Sequence, residues 1–412
     1  MSTPATVIIS GARVFDGEGF LPRADVAFAG DTVLEVGRDL AAKHPDARLV
    51  DATGKTVVPG IIDLHVHMTT QHAGSLNAFA EPFSLQFYNS AAYLKRTLEA
   101  GVTTVRDAGG TDLGAKVAVE SGVIPGPRLR IAVTIMSQTG GHGDTRLPSG
   151  ADSPMLTPHP GRPSGVADGV EEVRKAVRTI LRAGADQIKI CSTGGVLSPA
   201  DDPRHSQFTE DEIRVIVEEA AAQGTYVMAH AQGSEGIKSA LRAGVRSIEH
   251  GIYLDEEAIG LFLDRDAYLV PTLAAPLAVI ERAQLPGSGL SQAVIDKAHR
   301  VVDTHRESVA KAIAAGVKVA MGTDSGVGPH GANLQELALL ADLGMGLVDV
   351  LRASTSVAGE LIQGARVGRL VPGHAADAVV LDGELTDAEQ LALLPSLVRQ
   401  VWKDGAEAFT RS

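Results

Sequence analysis

One short phrase recurs through the middle of this 412-residue chain. Ala100-Gly101-Val102, Ala183-Gly184-Ala185, Ala243-Gly244-Val245 and Ala315-Gly316-Val317 each close an amphipathic run and open an apolar one. Gln223-Gly224-Thr225 is a looser copy. Glycine is the usual residue just past a helix C-terminus, because it accepts the left-handed conformation there. The runs that follow read VTTVRD, ADQIKI, VRSIEH and VKVAMGTD. Helices alternating with short strands at this spacing argue for a parallel sheet built from strand–helix–strand units.

Polar residues sit at a fixed place in that pattern. Asp107 lies six residues after Gly101, and Lys189 five after Gly184. His230 and His250 each lie six after their glycines, and Asp324 eight after Gly316. All fall at carboxyl ends of strands. In a (β/α)8 barrel those ends form one face where functional groups gather from different strands. A doubly wound sheet would instead hold its ligand at one switch point. Candidates spread from His65 to Asp324 suit the barrel better. Its eight strands are read at Val57 to Val66, Thr103 to Asp107, Arg130 to Met136, Gln187 to Cys191, Tyr226 to Ala229, Ser247 to His250, Tyr268 to Pro271 and Lys318 to Met321. Both ends of the chain carry short β-prone runs between Asp-Gly and similar turns. The expected fold is therefore α/β: a (β/α)8 TIM barrel over residues 59–365, and a small β-sandwich domain composed of 1–58 and 366–412.

Composition narrows the partners. With 37 basic and 50 acidic residues the net charge is −13, which disfavours nucleic acid and anionic lipid. The start, MSTPATVIISGARVF, has no basic region or apolar core of leader length. The apolar stretch near Tyr268 to Ile280 is broken by Pro271, Thr272 and Pro276 and is too short to span a bilayer. The expectation is a cytoplasmic protein with no membrane partner. A single cysteine, Cys191, excludes an intramolecular disulfide and a zinc ribbon, and reads as a small buried residue.

The strongest local signal is Asp63-Leu64-His65-Val66-His67, at the end of an apolar run. Residues i and i+2 of a strand share a face, so His65 and His67 can grip one metal ion. Alone, that pattern more often marks two packed or surface histidines. His230, His250 and Asp324 alone also have plain readings, as rim or cap residues. Together at one barrel mouth, four imidazoles and a carboxylate make a site typical of a hydrolytic divalent metal. Lys189, flanked by Ile188 and Ile190, is costly to bury as an ammonium. It either snorkels or pairs with Asp186, or it is a carbamate formed with carbon dioxide, which would bridge two metals.

The motif PGIIDLHVH, followed by Lys189, His230, His250 and Asp324 on successive strand ends, resembles the amidohydrolase superfamily over nearly the whole chain. The resemblance implies the subtype with two divalent metal ions, zinc by the preference of these ligands, and a carboxylated Lys189 bridging them. It implies that His65, His67 and Asp324 hold the more buried metal and His230 and His250 the second. It further implies a bridging water or hydroxide, whose proton Asp324 passes to the leaving group.

Further phrases resemble the dipeptidase-like members, which cleave Xaa-Pro or related C-terminal amide bonds, and their relatives the ochratoxin-type amidases and N-acyl amino acid hydrolases. These are Thr139-Gly140-Gly141-His142-Gly143-Asp144, the run from Lys189 to Gly195, Tyr226 four residues before His230, and His330-Gly331. The resemblance implies that His142 binds the developing oxyanion, and that Tyr226 and His330 touch substrate. His142 also reads as a solvated histidine in a mobile loop, and Tyr226 as a packed strand residue. Asp107 is expected to brace the barrel mouth, and Arg106, Arg204 and His205 are weaker candidates. The stretch 147–169 reads as a lid, a subunit contact or a disordered loop, and 198–207 either covers the site, meets a substrate carboxylate or is a solvated loop. The substrate expected is a small peptide or N-acyl amino acid. The alternative is a cyclic amide or imidazolone ring, lactone or phosphoester on the same metals. Imidazolone-ring relatives usually lack the bridging lysine, so Lys189 counts against that ring. A non-enzymatic metal-binding barrel would show a broken ligand set, and none of the positions is missing. Apolar helix faces and the resemblance point to a homo-oligomer, from dimer up to octamer.

Overall fold

The computed structural model describes residues 5–71, 73, 81–146, 149–198 and 201–411. Residues 147, 148, 199 and 200 of the two expected loops, and the first four residues of the N-terminal reading, lie outside them.

The chain is mixed α/β. Three parallel strands, Ile61–Val66, Val102–Asp107 and Arg128–Ile131, form one sheet. A second, six-stranded parallel sheet runs in the order Lys318–Val319, Tyr268–Val270, Ser247–His250, Val227–Ala231, Ile188–Cys191 and Ile135–Met136. Each edge of the small sheet is bonded to a segment flanking an inner or edge strand of the large one. Asp186 N donates to Ile131 O at 2.7 Å, and Leu64 N donates to Met321 O at 3.0 Å. Asp324 N donates to His65 O at 2.7 Å, so the segment carrying Asp324 is tied to the strand carrying the first histidines.

Helices cover the strands because their apolar positions recur at helical spacing. Val173, Val177 and Ile180 make the buried face of Gly169–Arg182. Thr209 and Glu212 satisfy each other's backbone donors at the start of Glu210–Ala222. The five recurring glycines all have positive φ, from 74° at Gly224 to 98° at Gly101, as the helix-ending role requires.

Strands from both ends of the chain share one eight-stranded sheet. Its order is Ala406–Thr410, Val398–Lys403, Ala378–Leu381, Thr56–Pro59, Val7–Phe15, Phe20–Ala29 and Thr32–Gly37, with Arg48–Asp51 beside Val7–Phe15. Buried Trp402 and Phe28 meet within it at 6.1 Å between ring centroids.

Two expected strands are each divided. The run Val57 to Val66 is two strands, because hydrogen bonding changes partner at Gly60. Gly60 N donates to Asp377 O of the terminal segment, and Ile61 N donates to Gly101 O beside the parallel sheet. Arg130 to Met136 is interrupted at Val133, whose φ of 66° turns the backbone. Its neighbour Ala132 N still bonds Asp107 O.

Gly60 is where both sheets meet, and it has no room for a side chain. A Cβ there would lie 2.0 Å from Thr103 Oγ1 and 2.9 Å from Asp377 Cβ. Gly60→Ala is expected to cost about 2–3 kcal/mol through overpacking, read as a lowered urea midpoint with an unchanged slope.

Candidate active site

Strand ends of the parallel sheets and the loops beyond them supply one cavity, lined by His65, His67, His142, Lys189, His230, His250 and Asp324. The strands bring these groups together because each polar residue follows its glycine by nearly the same number of residues. His65 Nε2, His67 Nε2 and Asp324 Oδ1 form a cluster whose ligand atoms all lie within 4.8 Å of one another. Asp324 Oδ1 is buried and accepts no hydrogen bond of normal geometry from the described residues. It lies 3.3 Å from His67 Nε2 and 3.6 Å from His65 Nε2. A buried acceptor aimed at two imidazoles is what a divalent cation requires.

The rings of the first strand are held from behind. His65 Nδ1 donates to Glu249 Oε2 at 2.8 Å, and His67 Nδ1 donates to Gly109 O at 2.7 Å. Each bond keeps the proton on Nδ1 and leaves the Nε2 lone pair toward the cavity. His250 Nδ1 is bonded to Thr272 Oγ1 at 2.7 Å. His230 is held the other way round, through Nε2 to Gly194 O at 3.1 Å, which frees Nδ1. The four imidazoles are tightly grouped: His65 and His250 centroids lie 5.1 Å apart, and His230 and His250 4.6 Å.

Backbone strain accompanies this packing. His250, Thr272 and Asp324 have φ of 74°, 53° and 58°. Non-glycine residues in this region cost about 1–3 kcal/mol each and cluster at functional sites.

Electrostatics follow burial. Burial holds His65, His230 and His250 well below the usual imidazole range, so they stay neutral. Burial opposes protonation of His67 as well, but the Asp324 carboxylate outweighs it and raises the ring. Burial would raise Asp324, yet its close contacts with the His65 and His67 rings and the nearby Lys189 hold it well below the carboxylate range. Burial also lowers Lys189, whose Nζ sits 3.2 Å from His65 Nε2. Lys189 does not pair with Asp186, which is bonded to Lys116 at 2.7 Å. Burial pushes the Cys191 thiol up to about 12, so it remains protonated.

His142 is buried, stacked on His230 with centroids 4.2 Å apart, rather than solvated. Its Nδ1 lies 2.7 Å from Ser198 Oγ and 3.4 Å from Asp201 Oδ2. Gly195 makes room for the ring, since a Cβ there would be 2.2 Å from His142 Cε1. Lys297, from helix Gln292–Ala314, reaches the same loop and donates to Gly195 O, Ser198 O and Asp201 O.

Two residues expected to touch substrate lie outside the lining of this cavity. Tyr226 does not line the cavity, because four residues of strand separate it from His230, about 13 Å at the usual rise. It is packed at the other end, where its hydroxyl donates to Leu361 O at 2.6 Å. His330 is stacked on Tyr93 at 4.5 Å and bonded to Thr70 O, beside the site rather than in it. Among the weaker candidates, Asp107 accepts from Met68 N and Gly109 N, next to His67. Arg106 is buried on Leu64 O and Glu249. Arg204 and His205 are exposed, with Arg204 paired to Asp202.

Sequence reasoning missed Glu249, Asp63 and Asp201. Glu249 is fully buried and joins Arg106, Ser247 and His65. Asp63 accepts from His65 N, Thr323 and Asn333, and burial raises it to about 6. The signal for Glu249 was present: a carboxylate inside an apolar strand, next to a site histidine.

Comparisons with known proteins agree with this geometry. The amidohydrolase family model matches residues 56–408. The chain is 33% identical to ochratoxinase of Aspergillus niger, over 97% of this chain and 86% of that one. A crystal structure of a prolidase complexed with N-methylphosphonate-L-proline matches at 38% identity and a TM-score of 0.88, covering 98% of this chain and all of the other. A Xaa-Pro dipeptidase with methionine bound in its active site matches at 31% identity and a TM-score of 0.88, with the same coverage. The chain belongs to the amidohydrolase family. It is a hydrolase with the TIM-barrel-like α/β fold of its relatives. No helix among the described residues is long and apolar enough to cross a membrane.

Glu249→Gln removes the charge that balances fully buried Arg106. It is expected to destabilise the fold by about 3–5 kcal/mol, measured by urea unfolding, while Ser247→Ala costs far less.

Proposed function

We propose that the protein hydrolyses an amide bond to a C-terminal amino acid, in a dipeptide of Xaa-Pro type or an N-acyl amino acid, at a binuclear metal site. One observation carries this reading: six side chains of metal-ligating chemistry, from five parallel strands or the residues just past them, line a single cavity. In this reading the parallel strands close into a (β/α)8 barrel spanning 59–365, and 1–58 with 366–412 form a β-sandwich domain.

His65 and His67, with Asp324, would hold the more buried ion, and His230 and His250 the second. Nitrogen atoms freed by bonds to Glu249, Gly109 and Gly194 support this set. Lys189 would bridge the ions as a carbamate: its neutral amine adds to carbon dioxide and loses a proton. Burial that disfavours the ammonium supports this step. The nitrogen-rich ligand set suits zinc. Bound ions would lower the pKa of a water and polarise the scissile carbonyl.

The chain's own residues do the rest. The water oxygen adds to the carbonyl carbon, and Asp324 takes the proton released. His142, fixed by Ser198 and Asp201, donates a hydrogen bond to the oxyanion. Asp324 then delivers its proton to the leaving nitrogen as the carbon–nitrogen bond breaks, giving acid and amine. Exposed Leu113, Val117 and Val123 support a homo-oligomer, and a lone buried cysteine supports the cytoplasm.

The test is a panel of Xaa-Pro dipeptides, N-acyl amino acids, cyclic amides, lactones and phosphoesters, assayed before and after chelation. Cleavage of an amide to a terminal amino acid, lost on chelation and restored by zinc, is expected. Activity confined to rings or phosphoesters would replace this reading. His142→Ala is expected to lower kcat by about 10²–10³-fold. Asp201→Asn, which acts through His142, is expected to lower kcat about tenfold with little change in KM, a loss of roughly 1.4 kcal/mol in transition-state stabilisation.

A further inference from the structure

We propose that Lys297 is a positioning residue for turnover: from outside the cavity it fixes the loop that aims His142, and its effect on the reaction passes through that ring. The proposal rests on the amide-hydrolase reading and deepens it.

Three observations carry it. The first is the way Lys297 is satisfied. It lies on the buried face of helix Gln292–Ala314, and its ammonium enters the loop that follows strand Ile188–Cys191. There Nζ donates to Gly195 O at 3.0 Å, Ser198 O at 2.7 Å and Asp201 O, and lies 3.3 Å from Asp201 Oδ1. Backbone carbonyls converging on one point match the three donors of an ammonium. Lys297 is not among the residues that line the cavity.

The second is what those partners do. Gly195, Ser198 and Asp201, the residues that Lys297 holds, are also the ones set against the His142 ring. Ser198 Oγ donates to Asp201 Oδ1 and lies 2.7 Å from His142 Nδ1. Asp201 Oδ2 faces Gly195 N at 3.2 Å and His142 Nδ1 at 3.4 Å. Gly195 lies so close to the ring that a Cβ would stand 2.2 Å from His142 Cε1. The third is the helix itself. About two turns beyond Lys297, on the same buried face, His305 Nε2 donates to His250 O at 2.8 Å. One helix therefore places both the loop around His142 and the strand end that carries His250.

Without the ammonium, three buried carbonyls lose a donor and Asp201 loses its countercharge. The loop relaxes and the ring loses its aim. A shift of about 1 Å in a group that acts on the transition state can cost about 10²-fold in rate. Lys297 does not reach substrate, so the loss falls on kcat.

The experiment is a double-mutant cycle on the metal-loaded enzyme. Its substrate is the amide that the native enzyme cleaves fastest in a set running from L-alanyl-L-proline to N-benzoyl-L-phenylalanine. Lys297→Met is expected to lower kcat about tenfold and to change KM less than about twofold. In the His142→Ala background the same substitution is expected to cost less than about twofold. Should Lys297→Met fail to fold, Lys297→Gln, which keeps two donors and drops the charge, enters the same cycle with the same expectations. Val309→Ala loosens the helix about three turns away from Lys297. It is expected to lower the urea midpoint while kcat stays within about twofold of native. An equal loss in both backgrounds, a loss confined to KM, an unchanged kcat, or a Val309→Ala enzyme as slow as Lys297→Met overturns the proposal and leaves the amide-hydrolase reading intact. A native enzyme that cleaves no amide in the set overturns both.

Discussion

Glu249 is the hinge of the electrostatics. It is completely buried between Arg106, which donates to one carboxylate oxygen at 2.9 Å, and His65, which donates to the other at 2.8 Å. A buried carboxylate of this kind is tolerable only because both oxygens are satisfied and a cation balances it. The outcome is a fixed ring. His65 keeps its proton on the side away from the cavity, and its lone pair faces Lys189 and Asp324. Arg106 in turn bonds Leu64 O, so the strand bearing His65 is held at backbone as well as side chain.

Similar ties hold the other elements in register. Asp63 fastens the first strand to Thr323 and Asn333, next to Asp324. Glu336 accepts from Leu273 N and Ala274 N, just after the strained Thr272 that bonds His250, and burial raises it to about 8. Lys297 pins the loop beneath His142. The cavity thus has a polar floor whose groups are individually restrained and walls that are mainly apolar. Positions fixed in advance cost little reorganisation during reaction, and this is the physical basis of strong electrostatic catalysis.

Much of the site was legible in the sequence because its residues obey two simple periods. His65 and His67 are two residues apart at the end of one strand, and Lys189, His230, His250 and Asp324 lie on or just past strands counted from a helix-ending glycine. Residues outside that register were harder. Glu249 sits one place before His250, where alternation points it away from the cavity and into the bond with His65. Asp201 acts through a loop whose path no local pattern encodes. Tyr226 carried two readings, substrate contact and packed strand residue, and its hydroxyl is bonded to Leu361 O at the start of the strand that His230 closes. The division at Gly60 was equally hidden, since the apolar run Val57 to Ile62 continues unbroken while its hydrogen-bond partners change.

The central claim is that Lys189, as a carbamate, joins two metal ions within the histidine cluster. The direct measurement is metal content together with carbon-13 NMR of protein loaded with zinc and labelled bicarbonate, for the native chain and Lys189→Arg. The account expects close to two zinc ions per chain and a carbamate resonance that the variant lacks. A native protein that takes up no metal, or binds it with no carbamate signal, would contradict the account.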